Sequence, residues 1–183
     1  TNASFGLQAS NTSTSFELKN GTFAATITGL GSMTATSVLV RYTGSTAVTA
    51  GTELTVGSTS YTFVDAIAAN TVALEVTGFN ATVANFVSLS GNLGFKKTGS
   101  DIIAVGTGVS ASLTAGAAVS VSLTNASFGL QASNTSTSFE LKNGTFAATI
   151  TGLGSMTATS VLVRYTGSTA VTAGTALTVG STS

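Results

Sequence analysis

The sequence has no cysteine, histidine, tryptophan or proline, and only 7% of its 183 residues are charged. Lack of cysteine excludes disulfides and thiolate metal sites. Lack of histidine removes the usual general base and, with cysteine, the common zinc ligands. Lack of proline means that no strand loses a ladder donor. The charge content compares with about 25% in ordinary soluble domains. The six acids (Glu17, Glu53, Asp65, Glu75, Asp101, Glu140) and six bases (Lys19, Arg41, Lys96, Lys97, Lys142, Arg164) cancel. Nucleic acid and anionic lipid need clustered Lys and Arg, and Lys96-Lys97 is the one basic pair. A membrane-spanning helix needs about 20 mostly apolar residues. The longest uncharged stretch, Ile102 to Phe139, is broken by Ser, Thr, Gly or Asn at nearly every second position.

What the chain does have is Thr, Ser, Ala, Gly and Val in bulk, ten Phe, and 43% hydrophobic residues. That is enough apolar surface to fold. It also has a long internal repeat. Thr1 to Ser60 returns as Thr124 to Ser183, displaced by 123 positions, with the single exchange of Glu53 for Ala176. We read residues 1–123 as one full unit and 124–183 as the first half of the next, continuous with it and without a linker. No initiator Met or signal segment precedes Thr1, and the second copy stops mid-unit, so a longer parent protein is expected.

Strand signals dominate. Apolar and small polar residues alternate in 22–27, 37–42, 54–56, 61–64 and 119–123. Asn20-Gly21, Thr43-Gly-Ser45, Gly57-Ser58, Gly91-Asn92 and Gly106-Thr-Gly108 read as turns between them. Residues 65–70 have helix-like composition but are too few for more than a turn. The fold class is all-β.

A finer period lies inside the repeat. Ile103-Ala-Val-Gly-Thr-Gly108, Val121-Ser-Leu-Thr-Asn-Ala126 and Phe139-Glu-Leu-Lys-Asn-Gly144 start 18 residues apart. Looser relatives at Phe16, Val38, Leu54, Leu74 and Val87 give seven steps per 123 residues. This pattern predicts a right-handed parallel β-solenoid of about 18-residue coils, each stacked on the last. Seven coils at about 4.8 Å would advance the axis roughly 34 Å per repeat. The second residues of the anchors (Glu17, Thr55, Glu75, Ser88, Ala104, Ser122, Glu140) are then expected to point outward. The alternative is a string of tandem immunoglobulin-like β-sandwich domains.

No catalytic, cofactor-binding or metal-binding residue is assigned, and no cofactor is expected. The acids are scattered singly and read as surface charges, with Glu17–Lys19 and Glu140–Lys142 as weak pairs two residues apart on a strand. The calcium-binding Gly-Gly-x-Gly-x-Asp pattern is absent. Asn-x-Ser/Thr triplets at Asn2, Asn11, Asn20, Asn80, Asn125, Asn134 and Asn143 follow from composition. Thr12/Thr14, Thr26/Thr28 and Thr34/Thr36 are spaced wrongly for an ice-binding column on an 18-residue coil.

Near-identical tandem units, the Thr/Ser/Gly/Ala/Val composition, and segments such as Leu93-Gly-Phe-Lys-Lys-Thr-Gly-Ser-Asp-Ile-Ile-Ala-Val-Gly106 and Ser112-Leu-Thr-Ala-Gly116 carry a resemblance. The chain resembles the β-solenoid repeat regions of giant bacterial surface adhesins and self-assembling extracellular matrix nanofibres. The resemblance implies an exported, extracellular or cell-surface structural protein acting in attachment or biofilm. Its partners would be itself, by stacking and lateral bundling, and the surfaces or matrix it coats. A polymer- or ice-binding solenoid ranks second and a carbohydrate-active β-helix enzyme third; the leading expectation is not an enzyme.

Overall fold

The structure, a computed structural model, describes every residue except Asn85 and Thr169. Its strands are β1 (Ser4–Ala9), β2 (Thr14–Ile27), β3 (Gly31–Thr43), β4 (Glu53–Val56), β5 (Thr59–Thr62), β6 (Thr71–Val83), β7 (Val87–Thr98), β8 (Asp101–Ala115), β9 (Val119–Ala132), β10 (Thr137–Ile150) and β11 (Gly154–Thr166). Strand accounts for 70% of the chain, which is all-β. Nine strands form one open antiparallel sheet in the order β1-β2-β3-β6-β7-β8-β9-β10-β11. The remaining two, β4 and β5, pair as a separate hairpin inserted between β3 and β6. Among the described residues no helix is long and apolar enough to cross a membrane.

The antiparallel pairing corrects the expected parallel solenoid, and the strand lengths give the reason. The strands β8, β9 and β10 start at Asp101, Val119 and Thr137, which is the 18-residue period itself. Each of those strands takes 14 or 15 residues, leaving only a short connection. A parallel neighbour needs a crossover of a dozen or more residues to bring the chain back. With three or four residues available the chain can only reverse, so the period is one strand and its turn, not one coil. The tandem-sandwich alternative also differs from what is seen, because the large strands make one sheet rather than two facing ones. The repeat boundary at Leu123–Thr124 falls inside β9. From β2 to its copy β10 there are six strand steps, because the seventh sequence step, at Leu54, lies in the hairpin. Six spacings of about 4.8 Å make one repeat roughly 29 Å wide.

Several expected turns lie in mid-strand. They are Asn20-Gly21 in β2, Gly91-Asn92 in β7 and Gly106-Thr-Gly108 in β8; Asn20 and Gly108 have φ of 61° and 58°, and Asn125 in β9 and Asn143 in β10 share that backbone at 55° and 64°. The pairing register slips beside them, as between Leu18 and Gly21 or Gly106 and Val109. These are β-bulges, and Asn and Gly are the residues that tolerate left-handed backbone there. The bulges explain why Asn-Gly recurs without ending the strand. The Gly57-Ser58 turn does join β4 to β5.

Register gives the sheet two different faces. Phe5, Leu18, Val40, Leu74, Phe95, Ala104, Leu130, Phe139 and Tyr165 are paired in one row across all nine strands. Further along, Ala25, Met33, Ala81, Leu89, Ala111, Leu123, Phe146 and Ala158 form a second row. Strand β7 runs through both rows at Phe95 and Leu89, six residues apart, so they lie on the same apolar face. The opposite face carries Thr26, Ser32, Thr82, Ser88, Ser112 and Ser122 in one row. Hydroxyl pairs close parts of it, with Ser88 Oγ 2.6 Å from Ser112 Oγ and Ser32 Oγ 3.1 Å from Thr82 Oγ1.

Candidate functional site

At the other end of the strands the polar face holds most of the charges, and here the hairpin lies on the sheet. Glu17 on β2 is paired in register with Arg41 on β3. Arg41 Nε donates to Glu17 Oε2 at 2.6 Å, and Arg41 Nη2 donates to Asp65 Oδ2 at 2.6 Å. Tyr61 on β5 donates its phenol to Glu17 Oε1 at 2.8 Å, and the Val64 amide reaches the same oxygen at 3.2 Å. Lys19 donates to the Thr62 carbonyl at 2.8 Å and sits 4.5 Å from the centre of the Tyr61 ring. Beneath these contacts Val48, Phe63 and Ile67 form a small core with Leu54 and Tyr61. Gly6 makes the close approach possible, because a Cβ there would run into the Tyr61 ring.

The expected surface position of Glu17 is therefore wrong, since its side chain is 0% exposed and that of Arg41 only 8%. Alternation on β2 did place Glu17 on the polar face, but the 27 residues between β3 and β6 fold back and cover it. Burial alone would lower the Arg41 pKa, and hydrogen bonds to Glu17 and Asp65 more than offset it, so the guanidinium is held charged. Burial first, then the Glu17 carboxylate, pushes the Tyr61 phenol well above its ordinary value.

Glu75, another residue expected outside, is also covered. The backbone amide of Ser181 reaches Glu75 Oε1 and Oε2 at 3.1 and 3.2 Å, Ser181 Oγ bonds Oε1, and Thr182 Oγ1 donates to Oε1 at 3.0 Å. Beside it Val179 packs with Ala73 and Val105 in a second core that Ile103 and Leu177 flank. Ala104 faces the apolar side instead of the polar one. Glu140 stays only partly covered, with Lys142 Nζ at 3.3 Å and Arg164 Nε at 2.7 Å. Its carboxyl is held below the usual range by the Arg164 hydrogen bond and then by Lys142. Of the Thr pairs, Thr26 and Thr34 lie on the polar face through their pairing with Ser32 and Asn80.

Both buried carboxylates are engaged by several donors, so what the arrangement does is fasten two covering segments to the sheet, the β4–β5 hairpin at Glu17 and residues 179–182 at Glu75. Among the described residues, no three acids, histidines or cysteines come together as a metal group. Sequence reasoning missed the Glu17–Arg41–Asp65 network. One signal was present: the Glu-to-Arg spacing of 24 residues recurs as Glu140 to Arg164. The chain matches no protein-family profile, no curated protein and no solved structure.

Proposed function

We propose that the chain is structural: a stretch of a self-assembling, adhesive fibre of the bacterial cell surface or extracellular matrix. The observation that carries this reading is that the 123-residue repeat equals a whole number of strands, six, in one sheet that runs through the repeat boundary. Whole-strand repeats add to such a sheet without a break in the ladder.

A second observation favours assembly. The apolar face is open, and the accessible surface is 10757 Å². A compact protein of 17.9 kDa would expose about 8,000 Å² by the usual scaling. Two copies that each bury this excess, about 2,700 Å², would together cover about 5,400 Å², the upper size of obligate homodimer interfaces. The occupant that fits is the same face of a second copy, since the row from Phe5 to Tyr165 meets little charge and the chain is neutral. In such two-layer ribbons the strands lie across the long axis, and each repeat extends the sheet by whole strands.

Electron microscopy and fibre diffraction of the assembled protein test the reading. A ribbon with strands about 4.8 Å apart along its axis and a repeat near 29 Å is expected. Monomers at every concentration, or beads on a flexible string, would overturn it. The adhesive part predicts that fibres coat apolar surfaces in preference to polar ones; equal coating removes it.

A further inference from the structure

The sequence holds two methionines, Met33 and Met156, one in each copy of the repeat. With cysteine, histidine and tryptophan absent, their thioethers are the side chains most open to mild oxidation. Register puts Met33 in the second apolar row, between Ala25 on β2 and Ala81 on β6. Gly31 and Ala35, two residues away on β3, share its face. With four small residues around it, the Met33 side chain is unshielded from the sides and 41% exposed. Its diagonal neighbours Phe23, Ile27 and Val83 are exposed as well, so Met33 stands at the centre of an apolar patch. Met156 repeats the arrangement on β11. It is paired with Ala148, it shares its face with Gly154 and Ala158, and it is 63% exposed beside Ile150.

We infer that these two methionines make the contact between copies sensitive to oxidation: a peroxide that converts them to sulfoxides releases the apolar faces from each other. The inference rests on the reading of that face as the contact between two copies, and adds how the contact is regulated. In the step, a sulfur lone pair attacks one peroxide oxygen, and an S–O bond forms as the O–O bond breaks. The departing hydroxide takes the proton of the transferred oxygen and leaves as water, so sulfur is oxidised and the peroxide reduced. The new oxygen is a hydrogen-bond acceptor among Phe, Ile, Val, Ala and Gly, whose side chains carry no donor. In the free chain water meets it; under a second copy it is buried unpaired. Oxidation therefore leaves the fold intact and weakens association by about ten- to a hundredfold per methionine. Cover also works in the other direction, because a docked face keeps peroxide away from the sulfur.

Sedimentation and mass spectrometry of the full chain, before and after hydrogen peroxide, test this. Untreated chains are expected to associate, and to gain one oxygen at each methionine faster when dilute than when assembled. The doubly oxidised chain is expected to associate at least about tenfold less tightly, with its strand signal in circular dichroism unchanged. The Met33→Leu/Met156→Leu chain, an exchange that conserves volume, is expected to assemble as the native one does and to be indifferent to peroxide. Association that survives full oxidation of both methionines, or equal oxidation rates in dilute and assembled chains, overturns the inference and leaves the fibre reading standing. Loss of assembly by the leucine chain in peroxide, or loss of the strand signal on oxidation, also overturns it. Monomers throughout, before any oxidation, overturn the contact reading itself and this inference with it.

Discussion

Glu17 and Glu140 sit in strands of identical sequence and face an identical arginine in register, yet one is sealed from water and the other is partly exposed. The hairpin tips show the reverse. Val56 in the first copy is 82% exposed, while its counterpart Val179 is 1% exposed, packed by Ala73 and Val105 with Glu75 capping the neighbouring turn. In the first copy Tyr61 and Asp65 fasten to Glu17 and Arg41, and in the second the segment with Val179 packs beside Glu75 of the first. The difference teaches that identical local sequence produces identical strands, while burial and charge state depend on what the neighbouring elements supply.

The comparison breaks most sharply at the ion pair. Removing one partner of a buried pair strands the other charge at a cost of about 3–5 kcal/mol, whereas exposed pairs contribute little. Glu17→Ala is expected to lower the urea-unfolding stability by that amount, and Glu140→Ala to leave it nearly unchanged. Equal effects at the two sites would mean that the hairpin does not seal Glu17.

The tip reverses the order of the copies. Val179→Ala removes two buried methyl groups at about 0.8 kcal/mol each, near 1.6 kcal/mol in all, while Val56→Ala stays within about 0.5 kcal/mol. Thermal unfolding of the two variants checks it, and a larger loss at Val56 would contradict the staple between repeats.

A third pair of variants sharpens the contrast from the other side. Asn20 and Asn143 occupy the same left-handed bulge position in β2 and β10. A β-branched residue there costs about 1–2 kcal/mol through its own backbone. Asn20→Val and Asn143→Val are therefore expected to destabilise by similar amounts, because this effect is local. Unequal losses would show that the bulges, too, depend on their cover.

The smallest effect is a pH dependence confined to the first copy. The folded Tyr61 phenol has a pKa raised above its ordinary value of 10.0 by burial and by the Glu17 carboxylate. Its contribution to stability is complete below pH 10.0 and is lost as the pH rises from there through the folded value. The denaturation midpoint should fall over that alkaline range in the native sequence and fall less in Tyr61→Phe. Identical pH profiles would place the phenol in water.

Much of the fold was legible. Alternation located strand residues in β2, β3, β4, β5 and β9, and the 18-residue step gave the strand spacing. It could not tell a coil from a reversal, because both keep the same period. Mid-strand Asn-Gly looked like a turn for the same reason: a left-handed residue serves either in a hairpin or in a bulge, and only the pairing decides. Alternation also assigned Glu17 to the polar face correctly. Nothing within β2 itself records that residues 44–70 return to cover that face.

The sequence by itself determined an all-β chain, the 123-residue unit, the alternation that makes one face apolar and the other polar, and the positions where the backbone bends. These follow from side-chain chemistry and backbone sterics within a few residues. Only the tertiary structure decided the antiparallel direction, the six-strand width of the repeat, and which of two identical Glu–Arg pairs is buried. Those outcomes rest on contacts between residues far apart in the chain, such as Glu17 with Tyr61 and Glu75 with Ser181, and local periodicity carries no record of them.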